Sequence, residues 1–288
     1  MYKLPTLQEL LEAGVHFGHQ VRRGHPRMRP YIYGVREGVH IIDLTKSDQT
    51  LKEACEFVYN LGKEGKILLF VGTKKQARAI VEEAAKRLGA PYLIQRWIGG
   101  FLTNFEQIKK NVKILKDYKD KKEKGELSQY TKKEQLLIDR KVAKLEKDLG
   151  GVVDMPVLPD ALFVVDAASD EIAVREANRV GIKVVAIADS NCDPTKIDYP
   201  IAGNDDAIKS IKILVETVAA AYDEGKKDAG KVAAKIAKKE EKEALRLAAN
   251  ASGKQDEGVV DEELAVEVAA AEEMVEKKAV KESERVVT

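Results

Sequence analysis

The 288-residue chain carries 49 Lys and Arg against 48 Asp and Glu, a formal charge of +1, so attraction to a polyanion has to come from a local patch. Charged residues make up 34% of the chain, above the roughly 25% usual for globular proteins, and this length allows one main core with an appendage. Cys55 and Cys192 lie far apart, which excludes a CxxC zinc knuckle or a disulfide framework, and no apolar run approaches the ~20 residues of a membrane span.

The N-terminal MYKLPTLQELL lacks the basic start and apolar stretch of a signal peptide, and a soluble intracellular protein is expected. Thr6 and Glu9 form a capping-box pattern for a short helix ending at Gly14. Residues 16–36, HFGHQVRRGHPRMRPYIYGVR, then hold Arg22, Arg23, Arg27, Arg29 and Arg36, three of the four histidines, two tyrosines and no acid. Such a segment, expected as a Gly- and Pro-rich loop, suits phosphate, with His, Tyr and Phe available to stack on bases.

Residues 39–43 alternate as a strand, and Thr45 is expected to cap a helix with Leu51, Ala54, Cys55, Val58 and Leu61 on one stripe until Gly62. The apolar runs at 66–72, 161–165 and 184–188 each adjoin an amphipathic helix, at 74–89, 170–180 and 205–222. That alternation predicts a parallel sheet covered on both faces, an open α/β sandwich.

Between the halves of this core, Phe105, Ile108, Val112 and Leu115 repeat at helical spacing, as do Ile138, Val142, Leu145 and Leu149. With GELSQY (125–130) as the break, residues 105–149 read as an antiparallel helical hairpin, a coiled coil. Residues 106–150 carry 14 basic against 9 acidic residues, which suits either RNA contact or a merely solvated face. The core is thus expected at 1–104 and 150–225, and 226–288 as a charged, Ala-rich extension, mostly mobile, whose charge swings from basic (226–254) to acidic (255–288).

FVGTKKQAR (70–78) places Lys74 and Lys75 at a helix N-terminus, a natural anion site, without the glycine spacings of a nucleotide loop. RWIGGFLTNF (96–105) holds the only Trp beside Gly99 and Gly100, with Asn104 a plausible cap for the next helix. His16, His19, Asp189, Asp193, Asp205 and Asp206 are candidates for metal or acid/base chemistry at the carboxyl edge of the sheet; turns and caps explain them equally well. An α/β enzyme or nucleotide binder using that edge remains the alternative reading.

Taken together, EAGVHFGHQ (12–20), YIYG (31–34), GVHIIDLTKS (38–47), ILLFVGTKKQA (67–77), RWIGGFLTN (96–104), PDALFVVD (159–166), VVAIADSNCDP (184–194) and GNDDAIKSIKIL (203–214) resemble the bacterial small-subunit ribosomal protein S-two family over roughly residues 1–224. The resemblance implies a flavodoxin-like parallel sheet with a protruding helical hairpin. It implies a non-catalytic, cytoplasmic, ribosome-bound scaffold that contacts small-subunit ribosomal RNA near the head-body junction, sits among neighbouring ribosomal proteins, and helps to dock ribosomal protein S-one. No membrane or small-molecule substrate belongs to that role.

On this reading the RNA contacts are Arg22, Arg23, Arg27, Arg29, Arg36, Lys74, Lys75, Arg96, Lys109, Lys110, Lys113, Lys132 and Lys133. No cofactor is required, and some members suggest one divalent metal, zinc or magnesium, which maps onto His19, Asp189, Asp205 and Asp206. Where the family usually has Trp-Asn, this chain has Gly24-His25, so stacking by that Trp is lost or shifted to His25 or Tyr31.

Overall fold

The computed structural model describes residues 2–124 and 131–251, with side chains through residue 231 apart from that of Glu123. Helix α1 (Leu7–Glu12) starts where expected: the Thr6 hydroxyl accepts from the Glu9 N–H, and the Glu9 carboxylate accepts from the Thr6 N–H. Strands β1 (Phe17–Gln20), β2 (Ile32–Arg36) and β3 (Val39–Ile42) form a small antiparallel sheet in the order β1-β3-β2. The basic segment is therefore not a loop. It is two edge strands joined by 3-10 turns, and Glu37 and Gly38, both at positive φ, close the hairpin from β2 to β3.

Helix α2 (Leu44–Lys63) is capped by Asp43, whose carboxylate accepts from the Thr45 N–H, rather than by Thr45. The helix also runs through Gly62. After it come β4 (Leu68–Val71), α3 (Arg78–Leu88), β5 (Tyr92–Leu93), α4 (Phe105–Glu123), α5 (Lys132–Leu149), β6 (Ala161–Val164), α6 (Glu171–Val180), β7 (Lys183–Ala188), β8 (Tyr199–Ala202) and α7 (Ile208–Ala251). Helices α3 and α6 stop at Gly89 and Gly181, both left-handed, close to the expected ends at 89 and 180.

Strands β5, β4, β6, β7 and β8 pair in that order, all parallel. Numbered within this sheet the order is 2-1-3-4-5, the flavodoxin-like winding, so the expected parallel α/β sheet is present. Its strands are buried on both faces. Leu68, Phe70 and Phe163 point into one apolar layer with residues of α2, α3 and α7; Leu69, Val71 and Leu162 point into the other with α6, Phe101, Phe105 and Leu149. That double burial is why these strands read as continuous apolar runs.

Helices α4 and α5 face each other through ion pairs of Lys119 with Glu146 and Lys122 with Asp139. Asn104 precedes α4 but makes no side-chain capping bond. The expected GELSQY break lies outside the described residues, as do residues 252–288 of the extension. Helix α7 crosses the expected core boundary at 225 without a break. Residues through Ala233 belong to one compact unit, and the described part of the second, from Ala234 to Ala251, is helical.

Helix α7 packs closely on α2 at Gly225, where an added Cβ would lie 2.2 Å from the Tyr59 carbonyl oxygen of α2; at Gly62 it would lie 2.6 Å from the Tyr222 carbonyl. The two helix backbones touch where neither has a side chain. We expect Gly225→Ala to destabilise the protein by about 1–3 kcal/mol through this overpacking, despite a helix-propensity gain of about 1 kcal/mol, as a lower urea midpoint at unchanged slope.

Candidate functional site

Parallel sheets of this winding offer a crevice where neighbouring strands send their chains in opposite directions, here between the carboxyl ends of β4 and β6. The turn after β4 delivers Thr73 and Lys74, and the turn after β6 delivers Asp166 and Asp170. The turn after β7 adds Asp189, and the turn after β8 adds Asp205 and Asp206. Residues distant in sequence thus meet at one sheet edge.

Lys74 is the hub. Its Nζ lies 2.7 Å from Asp205 Oδ1, 2.6 Å from Asp206 Oδ1 and 3.4 Å from Asp166 Oδ2, and its side chain is only 17% exposed. Beside it, His19 Nδ1 sits 3.1 Å from Asp189 Oδ2, and His19 Nε2 sits 3.5 Å from Asp206 Oδ2. The turn carrying Asp205 and Asp206 is pinned by Asn204, whose Oδ1 accepts from the Asp206 N–H and whose Nδ2 donates to the Gly14 carbonyl.

Burial opposes the charge on Lys74, but hydrogen bonds to Asp205 and Asp206 and the nearby carboxylate charges override it, holding its pKa above the ordinary lysine value. Burial, with the charges of Asp166 and Asp189, pushes Asp205 up against the pull of Lys74. His19 is raised by its hydrogen bond to Asp189, which outweighs burial. Asp166 is lowered, because the Ser169 N–H and hydroxyl bind its carboxylate strongly enough to overcome desolvation. Asp170, held by the Thr73 hydroxyl at 2.9 Å, is pushed up to about 6, chiefly by burial.

The basic segment is fastened to this edge. The Ser190 hydroxyl accepts from the His19 N–H at 2.7 Å, and the Ser190 carbonyl accepts from the His25 N–H at 2.7 Å. Gly18 makes this approach possible: a Cβ there would lie 2.8 Å from Ser190 Oγ. Arg22, Arg23, Arg29 and Arg36 project into solvent from the segment so anchored, and Tyr33 stands 81% exposed among them. Arg27 is exposed too, but its guanidinium is engaged by Asp193 at 3.2 Å and by the Thr195 hydroxyl at 2.6 Å.

Of the other residues singled out in the sequence, Lys75 and Arg96 are exposed, whereas Lys74 is turned inward onto carboxylates. Lys110, Lys113, Lys132 and Lys133 are exposed on α4 and α5, and Lys109 pairs with Glu106 and lies over the Phe105 ring. His16 does not join His19; its ring lies tilted against Phe17 and burial lowers its pKa. Asp193 belongs to Arg27 and caps a 3-10 turn. Cys55 and Cys192 are buried, their thiols pushed up to about 12 by desolvation.

Three contributors escaped the sequence reading. Asp166 and Asp170 looked like ordinary strand-end residues, although two acids four apart after an apolar strand were a usable signal. Glu176 gave none. From α6 its carboxylate accepts from Trp97 Nε1 and from the N–H groups of Gly100, Leu102 and Thr103, so it organises the RWIGGFLTN loop that starts α4.

His19, Asp205 and Asp206 offer ligand atoms within 4.8 Å of one another, and the donor set, an imidazole and two carboxylates, suits zinc better than magnesium, which prefers oxygen alone. Asn191 lies beside this set: its amide nitrogen is 3.3 Å from His19 Nε2, and its Oδ1 is buried without a partner. Asp189 faces the other ring nitrogen of His19, the position of a residue that orients a ligand rather than one that ligates.

No helix among the described residues is long and apolar enough to cross a membrane. The chain matches the family described as Ribosomal protein S2 over residues 10–225. It is 52% identical over 221 residues to small ribosomal subunit protein uS2 of Nitratiruptor sp., covering 77% of this chain and 83% of that one. The uS2 of Aliarcobacter butzleri is 47% identical over 253 residues, 87% of this chain and 96% of its own, and uS2c of Rhodomonas salina is 50% identical over 220 residues, 76% of this chain and 90% of its own. With the family match spanning most of the compact unit, this chain belongs to the ribosomal protein S2 family, a structural and non-enzymatic component of the small ribosomal subunit.

Proposed function

We propose that the chain serves the small subunit by gripping ribosomal RNA with its basic segment, near the junction of head and body. The observation that carries this reading is the exposure of Arg22, Arg23, Arg29 and Arg36 on an acid-free segment anchored to a rigid sheet edge. Guanidinium groups bind phosphate bidentately, and anchoring removes much of the entropy cost of ordering them. Tyr33 adds an exposed ring for base stacking.

Helices α4 and α5 are read as a protruding hairpin whose Lys110, Lys113, Lys132 and Lys133 continue this surface. The protein would be ribosome-bound in the cytoplasm, beside neighbouring small-subunit proteins, and would help to seat ribosomal protein S-one and so support messenger RNA recruitment.

Replacing Arg22, Arg23, Arg27 and Arg29 by alanine should flatten the dependence of log affinity for small-subunit RNA on log salt by about three, at roughly 0.7 to 0.9 per phosphate contact. Arg27 should contribute least of the four, because Asp193 already holds its charge. An unchanged slope in a filter-binding salt series would remove these residues from the interface.

The reading includes a divalent ion held by His19 Nε2, Asp205 and Asp206, with Asp189 fixing the imidazole from behind. When bound, such an ion supplies structural cross-linking between β1 and the turn after β8.

A further inference from the structure

Lys74 pairs with three acids at once, Asp166, Asp205 and Asp206, and it occupies the carboxylates that the metal reading assigns to an ion. We propose that Lys74 and a divalent cation draw on the same two carboxylates, Asp205 and Asp206, so that Lys74 governs how tightly the pocket holds metal. The inference rests on the metal reading above and goes beyond it, because it gives a role to a residue that is not a ligand.

The geometry carries the argument. Lys74 Nζ takes one oxygen each from Asp205 and Asp206, at 2.7 and 2.6 Å, while His19 Nε2 faces the other Asp206 oxygen at 3.5 Å. An ion that reaches His19 Nε2 must therefore share both carboxylates with the ammonium or displace it. Sharing brings like charges within a few ångströms in a partly dry pocket, and displacement strips a half-buried ammonium of its partners. Either way Lys74 weakens metal binding.

A retreat is available as well. Asp166 Oδ2 lies 3.4 Å from Nζ, and its carboxylate accepts from the Ser169 N–H and hydroxyl. A lysine ammonium on a flexible stem can shift between such acceptors, which a planar guanidinium could not do as readily. Without metal, Lys74 is the counter-ion that keeps the buried carboxylates tolerable; with metal, the ion takes over that task and the ammonium moves toward Asp166.

Calorimetric titration of the full-length protein with zinc ions alone, and separately with magnesium ions, tests this for wild type and Lys74→Met. The neutral variant should bind zinc about 10- to 100-fold more tightly, the scale on which neighbours of a metal site tune affinity. Its melting temperature should fall below wild type in chelator and be restored by zinc. Adding His19→Ala should erase the gain.

Equal affinity in wild type and Lys74→Met would overturn the competition while leaving the metal reading intact. Absence of binding to Lys74→Met would overturn both. Should that variant fail to fold, the lysine Cε resonances of the wild type decide: zinc should move the Lys74 signal, and a titration that saturates without moving it would refute the exchange.

Discussion

Replacing Glu176 by alanine is expected to cost about 3–5 kcal/mol of folding stability, the largest effect of any single change considered for this protein. One carboxylate on α6 accepts from the Trp97 indole at 3.2 Å, the Gly100 N–H at 2.7 Å, the Leu102 N–H at 3.1 Å and the Thr103 N–H at 3.4 Å. Leu102 is buried and the indole and Gly100 are half-buried, so water cannot fully replace the lost acceptor. Each stranded donor adds about 1–3 kcal/mol, discounted at exposed Thr103.

The effect should reach function through position. The loop held by Glu176 runs directly into Phe105, the first residue of α4, so Glu176→Ala should loosen the base of α4 and raise hydrogen exchange at Gly100 and Leu102. Glu176→Gln retains one acceptor oxygen but turns an amide donor toward other donors, and should cost roughly half as much. Desolvation alone would raise the Glu176 pKa, yet the N–H groups of Gly100, Leu102 and Thr103 and the indole lower it. Because the folded pKa is depressed, the stabilisation is present above the ordinary carboxylate range and is lost as pH falls through the folded value. A chemical melt of Glu176→Ala within about 1 kcal/mol of wild type at pH 7 would contradict this account.

Asp170→Asn should act in the opposite direction. Burial first, and then the charge of Asp166, push Asp170 up to about 6 despite the Thr73 hydroxyl. A carboxylate whose folded pKa exceeds its unfolded value stabilises the fold below the unfolded pKa, near pH 4, and loses that contribution as pH rises through about 6. At pH 7 to 8 the ionised group is therefore a liability of about 3 kcal/mol, from a shift of roughly two pKa units.

Asparagine keeps an oxygen for Thr73 and carries no charge, so the variant should melt several degrees higher at pH 7 to 8, at about 2–4 °C per kcal/mol for a domain of this size. At pH 4 the two proteins should melt together. A shift of equal size at both pH values would mean that burial of the charge is not the cause. A destabilised variant at pH 7 would mean that the carboxylate geometry matters more than its charge.

Glu176 and Asp170 each hold hydrogen-bond donors more than 70 positions away, and this separates what was legible in the chain from what was not. The apolar runs at 66–72, 161–165 and 184–188 became β4, β6 and β7 because strands covered on both faces need side chains of one kind throughout. Thr6 with Glu9, and Gly89 and Gly181 after their helices, were readable because caps and left-handed stops depend on neighbours within a turn. The basic segment was legible as charge but not as structure: β1 and β2 are four and five residues long, irregular in register and paired only through β3.

Lys74 marks the same divide at the candidate site. Its position before a helix suggested an outward phosphate contact, since a helix N-terminus attracts anions wherever they come from. Three aspartates from other turns supplied the anions instead, one of them 131 residues away. Likewise Arg27 looked equivalent to Arg22, Arg23 and Arg29 until Asp193 and Thr195 engaged it.

The sequence by itself determined β3, β4, β6 and β7, the start of α1 and the acid-free patch, because each depends on local pattern and composition. Only the tertiary structure decided which charges face solvent and which neutralise one another, because ionic partners meet by the winding of the sheet, which brings four separate turns to one edge.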